Sequence, residues 1–147
     1  MLNEGDPFPD FTLPSDDGTP VSTADFRGQK VVLYIYPKDS TPGCTAQACN
    51  LRDNYELLLE KGFKVVGVSA DSEKSHQKFI EKHNLPFPLI ADTDKEILKA
   101  FDVWGPKKFM GREFLGINRT TFVIDEEGVI SEVISKVKTK DHTAQIV

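Results

Sequence analysis

The chain has 147 residues and a formal net charge of −5, with 39% hydrophobic and 28% charged residues. That length points to one domain burying roughly two-thirds of its unfolded surface, a core large enough to need no disulfide or metal staple. The composition excludes a disordered or fibrous chain, and the acidic balance argues against a nucleic-acid binder. The first six residues are acidic without an apolar run, so they do not read as a signal peptide. No stretch is long enough to span a bilayer, and a reducing, cytoplasmic setting with no membrane partner is expected. Two cysteines make no disulfide scaffold, and in such a setting they are more often catalytic, redox-active or simply buried.

In chain order, Phe11-Thr12-Leu13 and Pro20-Val21 flank Asp16-Asp17-Gly18, which predicts a hairpin. The run VVLYIY at 31–36 suits a strand buried on both faces. A helix is predicted over 42–60. Its apolar stripe is Cys44, Ala48, Leu51, Tyr55 and Leu58, and its opposite stripe is Thr45, Cys49, Arg52, Glu56 and Glu60. Gly62 ends it. A strand over 63–70, a helix over 73–83, a short strand over 88–91 and a short helix over 95–101 follow. Residues 120–124 and 129–135 pair across the Asp125-Glu126-Glu127-Gly128 turn. Residues 142–147 read as the start of an amphipathic helix. The result is an α/β domain with a mixed central sheet flanked by helices. Its order resembles the thioredoxin fold with an added N-terminal β-hairpin.

Chemistry concentrates in Tyr36-Pro37-Lys38-Asp39-Ser40-Thr41-Pro42-Gly43-Cys44-Thr45-Ala46-Gln47-Ala48-Cys49. Thr41 suits an N-cap and Pro42 the first helical position, which puts Cys44 in the first turn. The Thr41 hydroxyl is then in reach of the Cys44 N–H or its sulfur. A thiol there sits at the positive end of the helix dipole. Free cysteine titrates near 8.5, and helix N-termini or nearby cations lower that to ~3.5–7.5. Only the thiolate is a good nucleophile. Taken alone, this argument leaves a buried structural thiol open.

Pro37-x-x-x-Thr41-x-x-Cys44, on a loop after an apolar strand, resembles the peroxiredoxin active-site signature. A second cysteine five residues on resembles the Q-type, or bacterioferritin comigratory, subfamily. Arg119, in Asn118-Arg119-Thr120-Thr121-Phe122-Val123-Ile124-Asp125, stands where that family carries an arginine just before a strand. Val103-Trp104-Gly105 through Phe109-Met110-Gly111 is also subfamily-like. The resemblance covers nearly the whole of residues 1–147 as a single peroxiredoxin domain, with a short C-terminus as its one departure.

The resemblance implies a thiol peroxidase. Cys44 attacks a hydroperoxide and becomes a sulfenic acid. Arg119 stabilises the thiolate and donates to the peroxide oxygens, Thr41 fixes sulfur and peroxide, and Pro37 shields the pocket. Cys49 resolves the sulfenic acid as an intramolecular disulfide, which thioredoxin or a similar dithiol reduces. No cofactor and no metal is implied, and a monomer is expected. The blander readings are an inert Cys49, an Arg119 that is only an ion-pair partner, and ordinary packing for Trp104, Phe109 and Met110 instead of an apolar rim. His76 and His83 are spaced unlike a zinc set and read as a solvated helix face. A thioredoxin-like disulfide oxidoreductase is disfavoured, because that chemistry uses C-x-x-C. A non-catalytic redox-sensing or chaperone-like module is the other rival.

Overall fold

Strand propensity and burial agree best in the run after Gln29. It forms β3 (Lys30–Ile35), fully buried from Val31 on, at the centre of the molecule. The structure is a computed structural model describing residues 2–147, with Lys108 and Phe109 described by their backbone only. Before β3, the predicted hairpin is present as β1 (Thr12–Pro14) and β2 (Pro20–Ser22), with Leu13 opposite Val21. After β3 come α1 (Pro42–Asp53), α2 (Tyr55–Glu60), β4 (Phe63–Ser69), α3 (Glu73–His83), β5 (Leu89–Ala91) and α4 (Glu96–Ala100). A hairpin of β6 (Trp104–Phe109) and β7 (Arg112–Ile117) follows, then β8 (Thr120–Ile124), β9 (Ile130–Ile134) and α5 (His142–Ile146).

The central sheet runs β5-β4-β3-β8-β9. β3 lies parallel to β4 and antiparallel to β8, so the sheet is mixed, as expected. Side chains alternate across it. Val31, Leu33 and Ile35 meet Phe8, Phe26, Phe101 and Phe122 on one face. Val32, Tyr34 and Tyr36 meet Cys44, Ala48, Leu51 and Phe79 on the other. Both faces are dry, and for that reason the run reads as continuous rather than alternating. Gly67 on β4 is where Tyr34 crosses the sheet. A Cβ there would stand 2.8 Å from Tyr34 Cζ and 2.6 Å from Leu89 Cδ2.

Two elements depart from the sequence reading. The helix predicted over 42–60 breaks at Asn54, whose φ of −111° and ψ of 16° leave the helical basin. The Asn54 side chain donates to the Asn50 carbonyl at 2.8 Å, a local bond that competes with the regular ladder. The β6–β7 hairpin has no counterpart in that reading. It closes through Met110 and Gly111, at φ of 52° and 79°. The two positive values are those a two-residue hairpin turn requires.

At the C-terminal end, α5 packs on the second half of α1. Asn50 Oδ1 accepts from the Thr143 N–H and hydroxyl, each at 2.8 Å, and Asn50 Nδ2 donates to the Lys140 carbonyl at 3.1 Å. On its other side, Arg52 Nη1 donates to the His83 carbonyl at 2.7 Å, tying the same half of α1 to α3. Among the described residues, no helix is long and apolar enough to cross a membrane.

Candidate active site

The loop between β3 and α1 delivers Cys44 to the first turn of α1, with Pro42 at the helix start. Cys44 as a residue is almost covered, at 1% relative exposure. Arg119 approaches from the loop before β8, the strand paired with β3, in a register that sets Ile35 opposite Thr120. Arg119 Nη2 donates to Cys44 Sγ at 3.1 Å, and Nη1 donates to Gln47 Oε1 at 2.6 Å. A positive donor at that range stabilises negative charge on sulfur. Gly43 eases the approach, because a Cβ there would sit 3.3 Å from Arg119 Nη2, tighter than ordinary contact.

Gln47 is absent from the sequence reading. It is fully buried one turn beyond Cys44, and its Nε2 has no partner among the described residues. The available signal was its i, i+3 relation to Cys44, which puts a polar side chain on the covered face. Thr41 departs from its expected role. It holds the N-cap position in an extended conformation, yet its hydroxyl donates to the Lys38 carbonyl at 2.9 Å, and no side chain caps the helix. That bond folds the loop back on itself. Pro37 is half-buried on the same loop.

Cys49 lies half-buried further along α1, unpaired with Cys44. Its sulfur is 3.9 Å from His83 Nδ1 on α3. Burial first, and then the charges of Lys82 and Arg52, hold the His83 pKa below its ordinary value.

His76 does not lie on a solvated face. It is completely buried, with Nδ1 2.7 Å from Asp39 Oδ2 and Nε2 3.0 Å from the Ile90 carbonyl. Asp39 also accepts from the Tyr36 hydroxyl at 2.6 Å and the Ser75 hydroxyl at 2.8 Å. Burial pushes the Asp39 carboxyl up, but the bonds from His76 and Tyr36 outweigh it and hold the group below its ordinary range. The Asp39 N–H donates to Asp71 Oδ2 at 2.7 Å, so this buried cluster pins the loop that carries Cys44. The helical spacing of His76 to Phe79 was the sign that the histidine turns inward.

Trp104 packs against the core on the opposite sheet face from Cys44, with Lys95 Nζ 5.0 Å from its ring centre. Met110 is 88% exposed at the hairpin turn, and the Phe109 side chain lies outside the described residues. Ordinary packing therefore describes Trp104, and an apolar rim is not assembled from it. No group of histidine, cysteine or acidic side chains suited to a metal occurs among the described residues.

The AhpC/TSA family model matches residues 4–133. Peroxiredoxin Bcp of Bacillus subtilis is 49% identical over 141 residues, covering 96% of this chain and 90% of that one. A putative peroxiredoxin bcp of Coxiella burnetii is 50% identical, covering 99% of this chain and 97% of the other. Among solved structures, a mutant of PrxQ from Xylella fastidiosa superposes with a TM-score of 0.93 at 33% identity, over 99% of this chain and 93% of that one. The bacterioferritin comigratory protein of Xanthomonas campestris, solved in a study of its alkyl peroxide reduction activity, matches with a TM-score of 0.87 at 37% identity, over 92% and 87%. The thioredoxin-like architecture, the loop thiol with its arginine and these relatives agree: the chain belongs to the AhpC/TSA family, as a thiol peroxidase of the Q-type or bacterioferritin comigratory peroxiredoxins.

Proposed function

We propose that Cys44 is the peroxidatic thiol, Cys49 the resolving thiol, and Arg119, Thr41 and Pro37 the surrounding site, within one domain spanning residues 1–147. The observation that carries this reading is the 3.1 Å contact between Arg119 Nη2 and Cys44 Sγ on the first turn of α1. The Cys44 thiolate attacks one peroxide oxygen, the O–O bond breaks, and the other oxygen leaves with a proton as water or an alcohol. Arg119 is placed to stabilise both the thiolate and the charge moving onto the leaving oxygen. Cys44 is left as a sulfenic acid. Cys49 then attacks its sulfur, forming the disulfide and releasing water, and an external dithiol such as thioredoxin restores both thiols. A cytoplasmic monomer acting on hydrogen peroxide and organic hydroperoxides fits this chemistry.

The disulfide requires α1 to open. Five residues along an intact helix rise ~7.5 Å, which puts the two Cα atoms roughly 8–9 Å apart. A disulfide needs them within about 7 Å. The second half of α1 is held by Asn50 to α5 and by Arg52 to α3. The first half packs Cys44 and Ala48 on the core, is bonded through Arg119, and contains Gly43, a weak helix former. The first half is therefore the part that melts, carrying Cys44 out toward a stationary Cys49.

Single-residue replacements test the roles. Cys44→Ser abolishes peroxide consumption. Cys49→Ser consumes about one equivalent per chain, accumulates the Cys44 sulfenic acid and loses turnover with thioredoxin. Activity in Cys44→Ser, or continued thioredoxin turnover in Cys49→Ser, refutes the assignment.

A further inference from the structure

We propose that His83 is the proton acceptor for Cys49 in the resolving step, an inference that rests on Cys49 being the resolving thiol. The sulfur of Cys49 lies 3.9 Å from His83 Nδ1, at the outer range of a thiol hydrogen bond and within reach of tightening when the partner arrives. The ring is fixed. It packs nearly perpendicular to the Phe79 ring, with centroids 5.2 Å apart at 76°, and the His83 backbone carbonyl accepts from Arg52 at 2.7 Å. That bond spans α1 and α3, so His83 stays beside Cys49 while the first half of α1 unwinds.

Charge favours a neutral ring. The charged groups facing it are Lys82 on its own helix and Arg52 on α1, both positive, and Arg52 in turn pairs with Asp53 at 2.9 Å. Burial and these two cations disfavour the imidazolium. At neutral pH, in the tautomer with hydrogen on Nε2, the Nδ1 lone pair points at the thiol. A weaker base than thiolate is still effective here, because it takes the proton as the new bond forms.

The step balances. The Cys49 S–H proton passes to His83 Nδ1 as Cys49 Sγ bonds to the sulfenic sulfur of Cys44. The S–O bond of the sulfenic acid breaks, and its oxygen leaves as water, taking a proton from solvent. His83 then returns its proton to solvent. Cys44 sulfur is reduced by the electron pair that Cys49 supplies, and no further oxidant is needed.

The test follows the two steps separately after mixing reduced protein with one equivalent of hydrogen peroxide. Sulfenic acid is read by dione trapping and disulfide by quenched mass analysis. In His83→Gln, the disulfide-forming rate falls by about 100-fold at pH 7. The deficit shrinks as pH rises past about 8.5, where an ordinary thiol ionises unaided. Free imidazole restores the rate in His83→Ala. A wild-type rate in His83→Gln, or a deficit that stays constant to pH 9.5, overturns the proposal.

The wild-type profile is an independent check. Its disulfide-forming rate stays level from pH 7 to 8 and falls only in acid, at a pH below the ordinary histidine value of about 6.5, because the His83 pKa is lowered. A tenfold rise per pH unit from 6 to 8 overturns the proposal without any variant. Continued thioredoxin turnover in Cys49→Ser instead removes the underlying reading of Cys49.

Discussion

Replacing Arg119 by lysine separates charge from geometry at the proposed peroxide site. The guanidinium serves two acceptors through two nitrogens, Cys44 Sγ at 3.1 Å and Gln47 Oε1 at 2.6 Å. A lysine ammonium keeps the charge, but its hydrogens radiate from a single nitrogen and do not reproduce the planar fork. One of the two bonds is lost. A hydrogen bond to a charged group contributes about 1.5–3 kcal/mol. With about 1.4 kcal/mol per decade of rate, the attack on peroxide slows by about 10- to 150-fold. The assay is stopped-flow mixing of reduced Arg119→Lys with a range of hydrogen peroxide concentrations, and the second-order rate of Cys44 oxidation is compared with wild type. Gln47→Leu should carry much of the same loss, because Gln47 holds the other arm of the guanidinium. The double variant should then fall short of the sum of the two effects. An Arg119→Lys rate within threefold of wild type, or full additivity with Gln47→Leu, refutes the bridging argument.

Two further outcomes follow from the packing. Amide hydrogen exchange over residues 43–48 should be faster in the disulfide form than in the dithiol form, with β3 equal in both; equal protection of 43–48 would contradict the unwinding of the first half of α1. Acid should also weaken the fold through His142, which is buried, with Nε2 2.8 Å from Thr121 Oγ1 and Nδ1 2.8 Å from Gln145 Oε1. Burial first, and the nearby Arg119 charge after it, hold its pKa below 6.5 despite the Gln145 bond. Between that lowered value and 6.5 the folded chain binds fewer protons than the unfolded one, so this stability is complete above pH 6.5 and is lost as pH falls through the window. The urea midpoint should drop from pH 7 to pH 5 in wild type and drop less in His142→Asn. Parallel pH curves for the two proteins would contradict the assignment to His142.

The parts legible in the sequence are those whose signal is local. Val31 to Ile35 announce a two-sided strand by unbroken apolarity, and Thr41-Pro42 mark where α1 starts. The break at Asn54 was not legible, since it turns on whether one amide folds back onto Asn50 or faces solvent. The β6–β7 hairpin was missed because Phe114 and Leu115 are exposed and burial is confined to the hairpin's base, at Trp104 and Ile117, too little to impose a period. At the site, the helix-start thiol follows from local rules, but its partner does not. Cys44 and Arg119 are 75 positions apart, and only the family resemblance joined them in the sequence. The Asp39–His76 pair was equally out of reach, because a carboxyl and an imidazole 37 positions apart read as two surface residues until the fold encloses them.

The 75-residue span between sulfur and guanidinium has a consequence for the life of the chain before it folds. The two meet only when β8 has docked on β3 with Thr120 facing Ile35, and β8 is among the last strands made. Until then Cys44 has no arginine beside it. A slip by one residue would turn the β8 side chains to the wrong face and leave the sulfur equally unarmed. With Cys44 as the proposed peroxidatic thiol, reactivity toward oxidant is thus withheld from nascent and misregistered chains, and peroxide sensitivity of Cys44 becomes a chemical signature of completed folding.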